Sequence, residues 1–131
     1  MATMDAISVS ITDGPLGEPP ARPDKGACGA WVVFEGVVRG DEGGGPIVAL
    51  RYTAYEPMAQ NQLAELGESV RAEFGVDCLM VEHSRGLVPV GACSFRLSIA
   101  SGHRKEALAA MDAFIDRMKK DVPIWKEPVR G

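Results

Sequence analysis

The sequence predicts an α+β domain, a mostly antiparallel sheet with two main helices packed on it. Three observations carry that reading. Five segments alternate or are rich in β-branched residues, at 7–12, 27–39, 47–55, 76–84 and 93–100. Two stretches, one from Pro57 and one after Gly102, switch to helical spacing. The resulting order β-β-β-α-β-β-α, with hairpin-like links, lacks the strict strand–helix alternation of a parallel sheet.

Each element has a local reason. "ISVSIT" (7–12) alternates as a half-buried strand, and a Pro/Gly-rich connection follows to Lys25. "ACGAWVVFEGVVR" (27–39) reads as a largely buried strand with a bulge at Gly36. "GDEGGGP" (40–46) reads as a mobile loop, and "IVALRYTAY" (47–55) as the next strand. From Pro57, which suits a first helical turn, Ala59, Leu63, Leu66, Val70 and Phe74 fall on one helical face up to a C-cap at Gly75. "VDCLMVEHS" (76–84) is a strand, "RGLVPVG" a turn-rich link and "CSFRLSIA" (93–100) a further strand. Ser101 and Gly102 introduce the second helix, with Leu108, Met111, Ile115 and Met118 as its apolar stripe. It ends near Lys120 because Pro123 pushes Val122 out of helical geometry.

The chain has 131 residues, room for one domain (1–131) with a real core. Within it, residues 1–25 form the N-terminal strand and connection, and residues 119–131 a C-terminal functional segment. No apolar run approaches the roughly 18 residues that cross a bilayer. The N-terminus lacks the basic start of a signal peptide, so a cytoplasmic protein without membrane attachment is expected. Cys28, Cys78 and Cys93 form no C-x-x-C pair and are expected as buried, reduced thiols. The net charge of −4 argues against nucleic-acid binding. Residues 101–131 nevertheless carry seven basic side chains against five acidic, while the remainder carries seven against thirteen. A basic end on an acidic body suggests a local anion site.

Three stretches hold the candidate chemistry. In "SGHRKE" (101–106), a strand-to-helix junction offers free N–H groups to an anion, and His103 and Arg104 add cationic donors. The same residues also read as exposed polar positions of a first turn. In "FEGVVRGDEGGG" (34–45), Arg39 ends a strand beside a glycine-rich loop, either as a solvated edge residue or as part of a closing ligand site. In "KKDVPIWKEP" (119–128), Lys119 and Lys120 occupy a helix end that favours cations. Pro123 and Trp125 stiffen the backbone around Lys126, which reads either as a base or nucleophile or as a snorkelling lysine on a Trp-anchored tail. His103 and Lys119 lie sixteen residues apart on one helix, about 24 Å. If both serve one small substrate, the site is shared across a symmetric dimer. His83, at a strand end, is expected to be structural.

Four motifs in order, "FEGVVR", "YTAYEPMA", "SGHRKEAL" and "DRMKKDVPIWKE", resemble the large, catalytic subunit of molybdopterin synthase from about Gly26 to Glu127. The chain departs from that family's usual pattern at Thr53, Ser84, Arg85 and Ala92. The resemblance implies an α/β-hammerhead-like fold and a homodimer at the centre of a heterotetramer. It implies a ubiquitin-like small subunit whose C-terminal Gly-Gly thiocarboxylate delivers sulfur to cyclic pyranopterin monophosphate, two transfers making the molybdopterin dithiolene without a metal or other cofactor. On the matching positions, Arg39, His103 and Arg104 would neutralise the substrate phosphate. Lys119 and Lys126 would sit by the sulfur-donating carboxyl end and carry the catalysis, with Trp125 keeping the tail docked. The alternative is a non-catalytic paralogue, a dimeric binding module for a ubiquitin-like sulfur carrier.

Overall fold

The computed structural model of the chain describes residues 6–23, 26 and 28–131. Its elements are β1 (Ile7–Asp13), β2 (Ala30–Val37), β3 (Ala49–Ala54), α1 (Met58–Phe74), β4 (Cys78–Pro89), β5 (Cys93–Ser101), α2 (Arg104–Asp121) and β6 (Ile124–Val129). The expected fold class holds, a mostly antiparallel sheet with two helices, but the sheet has six strands, one more than the five expected, with β2-β5-β4-β3-β6 as its main order. β1 joins β4 as the parallel pair.

β4 organises this sheet because it changes neighbours along its length. Cys78–His83 pair with β5 and Leu79–Arg85 with β1, whereas Gly86–Pro89 pair with β3. The stretch expected as a turn-rich link is therefore strand as far as Pro89. Gly86 has φ +84, a left-handed value open to glycine, which re-aims the strand where it passes from one partner to the next. Beyond it, Ala92 N–H donates to the Pro89 carbonyl and Gly91 takes φ +90, so the turn is confined to residues 89–92.

The β2–β5 ladder shifts register between Gly36 and Val37, at the expected bulge. α1 begins after Pro57 and closes on Gly75 in the left-handed conformation, whose N–H donates to the Arg71 carbonyl. α2 ends at Val122, extended in front of Pro123. Its buried face differs from the expected stripe. Ala107, Ala110, Met111, Phe114 and Met118 face the core, while Leu108 is 51 % exposed. Both sets satisfy helical spacing; the alanines win because small residues let the helix lie close to the sheet. Leu63, Leu79, Leu97, Ile99 and Phe114 are fully buried between helices and sheet, each contributing about 1.5–3 kcal/mol. A second, smaller cluster of Val38, Ile47, Leu50 and Val88 fills the space under the 40–47 loop.

β6 is the element the sequence did not reveal. Two prolines and two charges in "PIWKEP" speak against a strand, yet Ile124–Val129 pair antiparallel with the whole of β3. An edge position tolerates Pro128, since a missing N–H there costs no ladder bond. Lys126 stands opposite Tyr52 and Trp125 opposite Thr53. Alternation turns their side chains to opposite faces, and Trp125 is 57 % exposed. The tail is thus held by its ladder and not by a buried indole.

On the sheet face away from the helices, Arg96 is buried, 2 % exposed, and its guanidinium is fully engaged. It donates to Glu35 (2.7 Å), to Glu82 (3.1 and 3.2 Å) and to the Gly17 (2.8 Å) and Glu18 (3.4 Å) carbonyls. Burial alone would disfavour its charge; the two carboxylates more than offset this and raise its pKa. The connection after β1 is therefore strapped across the sheet. Of the cysteines, Cys78 is buried while Cys28 and Cys93 are half-buried, and all three are free thiols. The expected burial of all three applies to Cys78 alone.

Candidate active site

The bulge at Gly36/Val37, the β3–β6 ladder and the last turns of α2 meet around a cleft of about 690 Å³. That is a ligand-sized volume. Three of the five sequence candidates line it: Arg39 just beyond β2, Lys119 in the last turn of α2 and Lys126 on β6. Lys119 lies where the carbonyl end of the helix favours a cation. Among the described residues, neither Arg39 nor Lys119 has an acidic partner within ion-pair distance, whereas Lys126 Nζ lies 3.4 Å from Glu42 Oε1. The lining is mixed: Phe34 and Phe95 meet at a tilt of 54°, 6.1 Å between ring centroids, and Ile115, Met118 and Val122 supply aliphatic surface.

His103 and Arg104 stand at the other end of α2, where His103 is the N-cap residue with extended backbone. Its side chain is 87 % exposed, and Nδ1 lies 3.5 Å from Glu106 Oε2. The conflict between cations and the helix dipole is answered locally. Glu106 occupies the first turn, and its own backbone N–H, with His103 nearby, holds its carboxyl below the usual range. Beside this junction the Ser101 hydroxyl is buried without a hydrogen-bond partner among the described residues. One chain thus brings Arg39, Lys119 and Lys126 together and leaves His103 and Arg104 a helix length away.

Several lining residues were not singled out from sequence. Tyr52 Oη and Ser94 Oγ share a hydrogen bond of 2.9 Å, and Glu35 and Glu42 also border the cleft. His83, expected to be structural, is buried as expected but also lines the cleft. Its ring meets Tyr52 edge-on at 5.3 Å and Phe95 at 5.7 Å. Nδ1–H donates to the Ser84 carbonyl (2.8 Å), which leaves the proton on Nδ1 and a lone pair on Nε2. Burial pulls the His83 pKa below its ordinary 6.5. The available signal was strand phase: His83 follows Leu79 and Val81 at every second position, on the row that faces inward.

Fold and cleft define a class: an α+β domain whose edge strand and helix end present two lysines and an arginine to a half-apolar cleft. The family described as MoaE protein matches residues 16–121. The molybdopterin synthase catalytic subunit of Nostoc sp. is 39% identical over 124 residues, covering 94% of this chain and 75% of that protein. The human protein of the same name is 37% identical over 102 residues, 78% of this chain. The chain spans about half the length of that human relative, 54%. Among solved structures, molybdopterin synthase from Staphylococcus aureus matches with a TM-score of 0.85 at 31% identity, covering 92% of this chain and 90% of that one. A protein–protein complex of subunits 1 and 2 of molybdopterin-converting factor from Helicobacter pylori matches at 0.72 with 25% identity, covering 94% and 89%. The chain belongs to the MoaE family.

Proposed function

We propose that the chain is the catalytic subunit of a molybdopterin synthase, a sulfurtransferase acting in the cytoplasm. It takes sulfur from the thiocarboxylated C-terminus of a ubiquitin-like small subunit and delivers it to cyclic pyranopterin monophosphate. The observation that carries this reading is the convergence of Arg39, Lys119 and Lys126 on one cleft. The named relatives and the two-subunit Helicobacter pylori complex support it.

The chemistry suits such a site. Each transfer forms a carbon–sulfur bond at an oxygen-bearing carbon of the pterin side chain, where a carbon–oxygen bond breaks and its oxygen leaves as water or with the phosphate. It also breaks the acyl carbon–sulfur bond of the partner's tail. Water supplies the oxygen that leaves that tail as a carboxylate. Negative charge gathers on the acyl oxygen and the departing sulfur, and ammonium groups fixed at a half-buried surface stabilise it better than solvent does. Lys119 and Lys126 fill that role, and the half-apolar cleft takes an extended glycine tail. Arg39 pairs with the substrate phosphate by charge-assisted hydrogen bonds. His103 and Arg104 complete the phosphate site from the second protomer of a homodimer, because one chain holds them about 24 Å from Lys119. The functional unit is then a heterotetramer with a small subunit at each end, and residues 119–131 form its active-site segment.

The non-catalytic binding module is the less favoured reading, since docking alone does not call for Arg39, Lys119 and Lys126 to converge on one cleft. Reconstitution with thiocarboxylated small subunit and cyclic pyranopterin monophosphate separates the two. Dithiolene product that depends on this chain, and is lost in folded Lys119→Ala, supports the synthase. A complex that forms without product, beside an active reference synthase, supports the binding module.

A further inference from the structure

The loop after Arg39 is built as a small closed hairpin. Glu42 N–H donates to the Gly45 carbonyl and Ile47 N–H to the Gly40 carbonyl, each at 3.1 Å, while Asp41 and Pro46 form an isolated bridge. Gly43 and Gly44, with φ +56 and +95, make the tip that other residues would strain to form. Arg130 then fastens the hairpin to the end of β6, donating at 3.3 Å to the carbonyls of Glu42, Gly43 and Pro46. The strand that carries Lys126 therefore also holds the loop that carries Glu42. The Glu42 carboxylate, mostly shielded, borders the cleft and meets Lys126 Nζ at 3.4 Å.

We infer that Glu42 is a built-in competitor for Lys126, a carboxylate that occupies this ammonium until the anionic end of the small subunit displaces it. The inference rests on the proposed function and adds an affinity-setting residue to it. A terminal carboxylate and a thiocarboxylate each carry one negative charge, so Glu42 opposes both. It weakens the hold on the spent tail as well as on the loaded one, which favours exchange of partners between turnovers. Lys126 is half-exposed, so the effect is that of a partly solvated ion pair, about two- to fivefold in affinity. Because the pair is partly solvated, added salt weakens it.

The test titrates purified small subunit, in its plain carboxylate form, against the full chain and its Glu42→Gln variant. A Lys126→Met background closes the double-mutant cycle. Glu42→Gln is expected to bind about two- to fivefold more tightly at low salt, and the gain should shrink in high salt and vanish in Lys126→Met. In turnover assays the variant lowers KM without raising kcat, the mark of binding shared by ground and transition states. Arg130→Met, which frees the loop without touching the carboxylate, shifts affinity in the same direction. If the wild type binds and Glu42→Gln binds equally or more weakly, or if its gain persists without Lys126, the competitor role is overturned and the proposed function stands. If the wild type does not bind the small subunit at all, the proposed function falls, and this inference with it.

Discussion

Lys126 stands directly opposite Tyr52 in the β3–β6 ladder, so the register of an edge strand sets the lysine's place in the cleft. Tyr52 is tied in turn through its hydroxyl to Ser94 on β5 and packs edge-on against His83 on β4. Three strands thus fix one ammonium group.

Trp125→Ala should cost less than about 1 kcal/mol in urea unfolding, as for an exposed cross-strand position. It should leave Lys126 in register. A buried anchor of the same size would cost about 3–5 kcal/mol, and a loss of that order would return the indole to the role of anchor.

Arg96→Met should be strongly destabilising. It strands Glu82 and Glu35 beside a surface their partner has left and frees the Gly17 and Glu18 carbonyls. We expect about 3 kcal/mol lost in urea melts, at the lower end for a broken buried pair because Glu35 keeps some solvent. Arg96→Lys, which keeps the charge without the fork, should recover part of it. A loss below about 0.5 kcal/mol, typical of a surface site, would refute the strap.

His83 should make stability pH-dependent in a window where the carboxylates do not. Burial lowers its folded-state pKa below 6.5, so the unfolded chain takes up the proton first. Its contribution is fully present above about pH 6.5 and is lost as pH falls toward the folded-state value, with a slope of at most about 1.4 kcal/mol per pH unit. Asp13, Glu73 and Glu106, all held below their ordinary values, begin to lose their contributions only below about pH 5. Urea melts at pH 7.5, 6.5 and 5.5 should show a fall in the wild type that flattens in His83→Gln. Parallel curves would mean that His83 is not buried neutral.

The parts of this fold set by local chemistry were legible in the sequence. Gly75 ends α1 and Pro123 ends α2 because backbone conformation at a single residue decides each. The bulge beside Gly36 and the alternation of β1 are local in the same sense. What was missed depends on distant neighbours. β6 is a strand only because β3 offers an edge, and β4 runs on through Gly86 only because β3 waits beyond it. α2 turns its alanines inward, and Leu108 outward, because the sheet leaves room for a close approach. In the site, Arg39, Lys119 and Lys126 were found as residue types, but nothing local placed Glu42 beside Lys126 or His83 in the same cleft.

In the proposed enzyme the catalytic cleft is completed by a second copy of the chain. Complementation tests it most directly. Lys119→Ala and Arg104→Ala chains, each inactive with small subunit and cyclic pyranopterin monophosphate, are unfolded together in equal amounts, refolded and assayed for dithiolene. Random pairing makes half of the dimers mixed, and each mixed dimer holds one intact site of two. Activity should return to about one quarter of the wild-type value. If the mixture stays as inactive as either parent while mixed dimers form, the site lies within one chain and the shared arrangement is wrong.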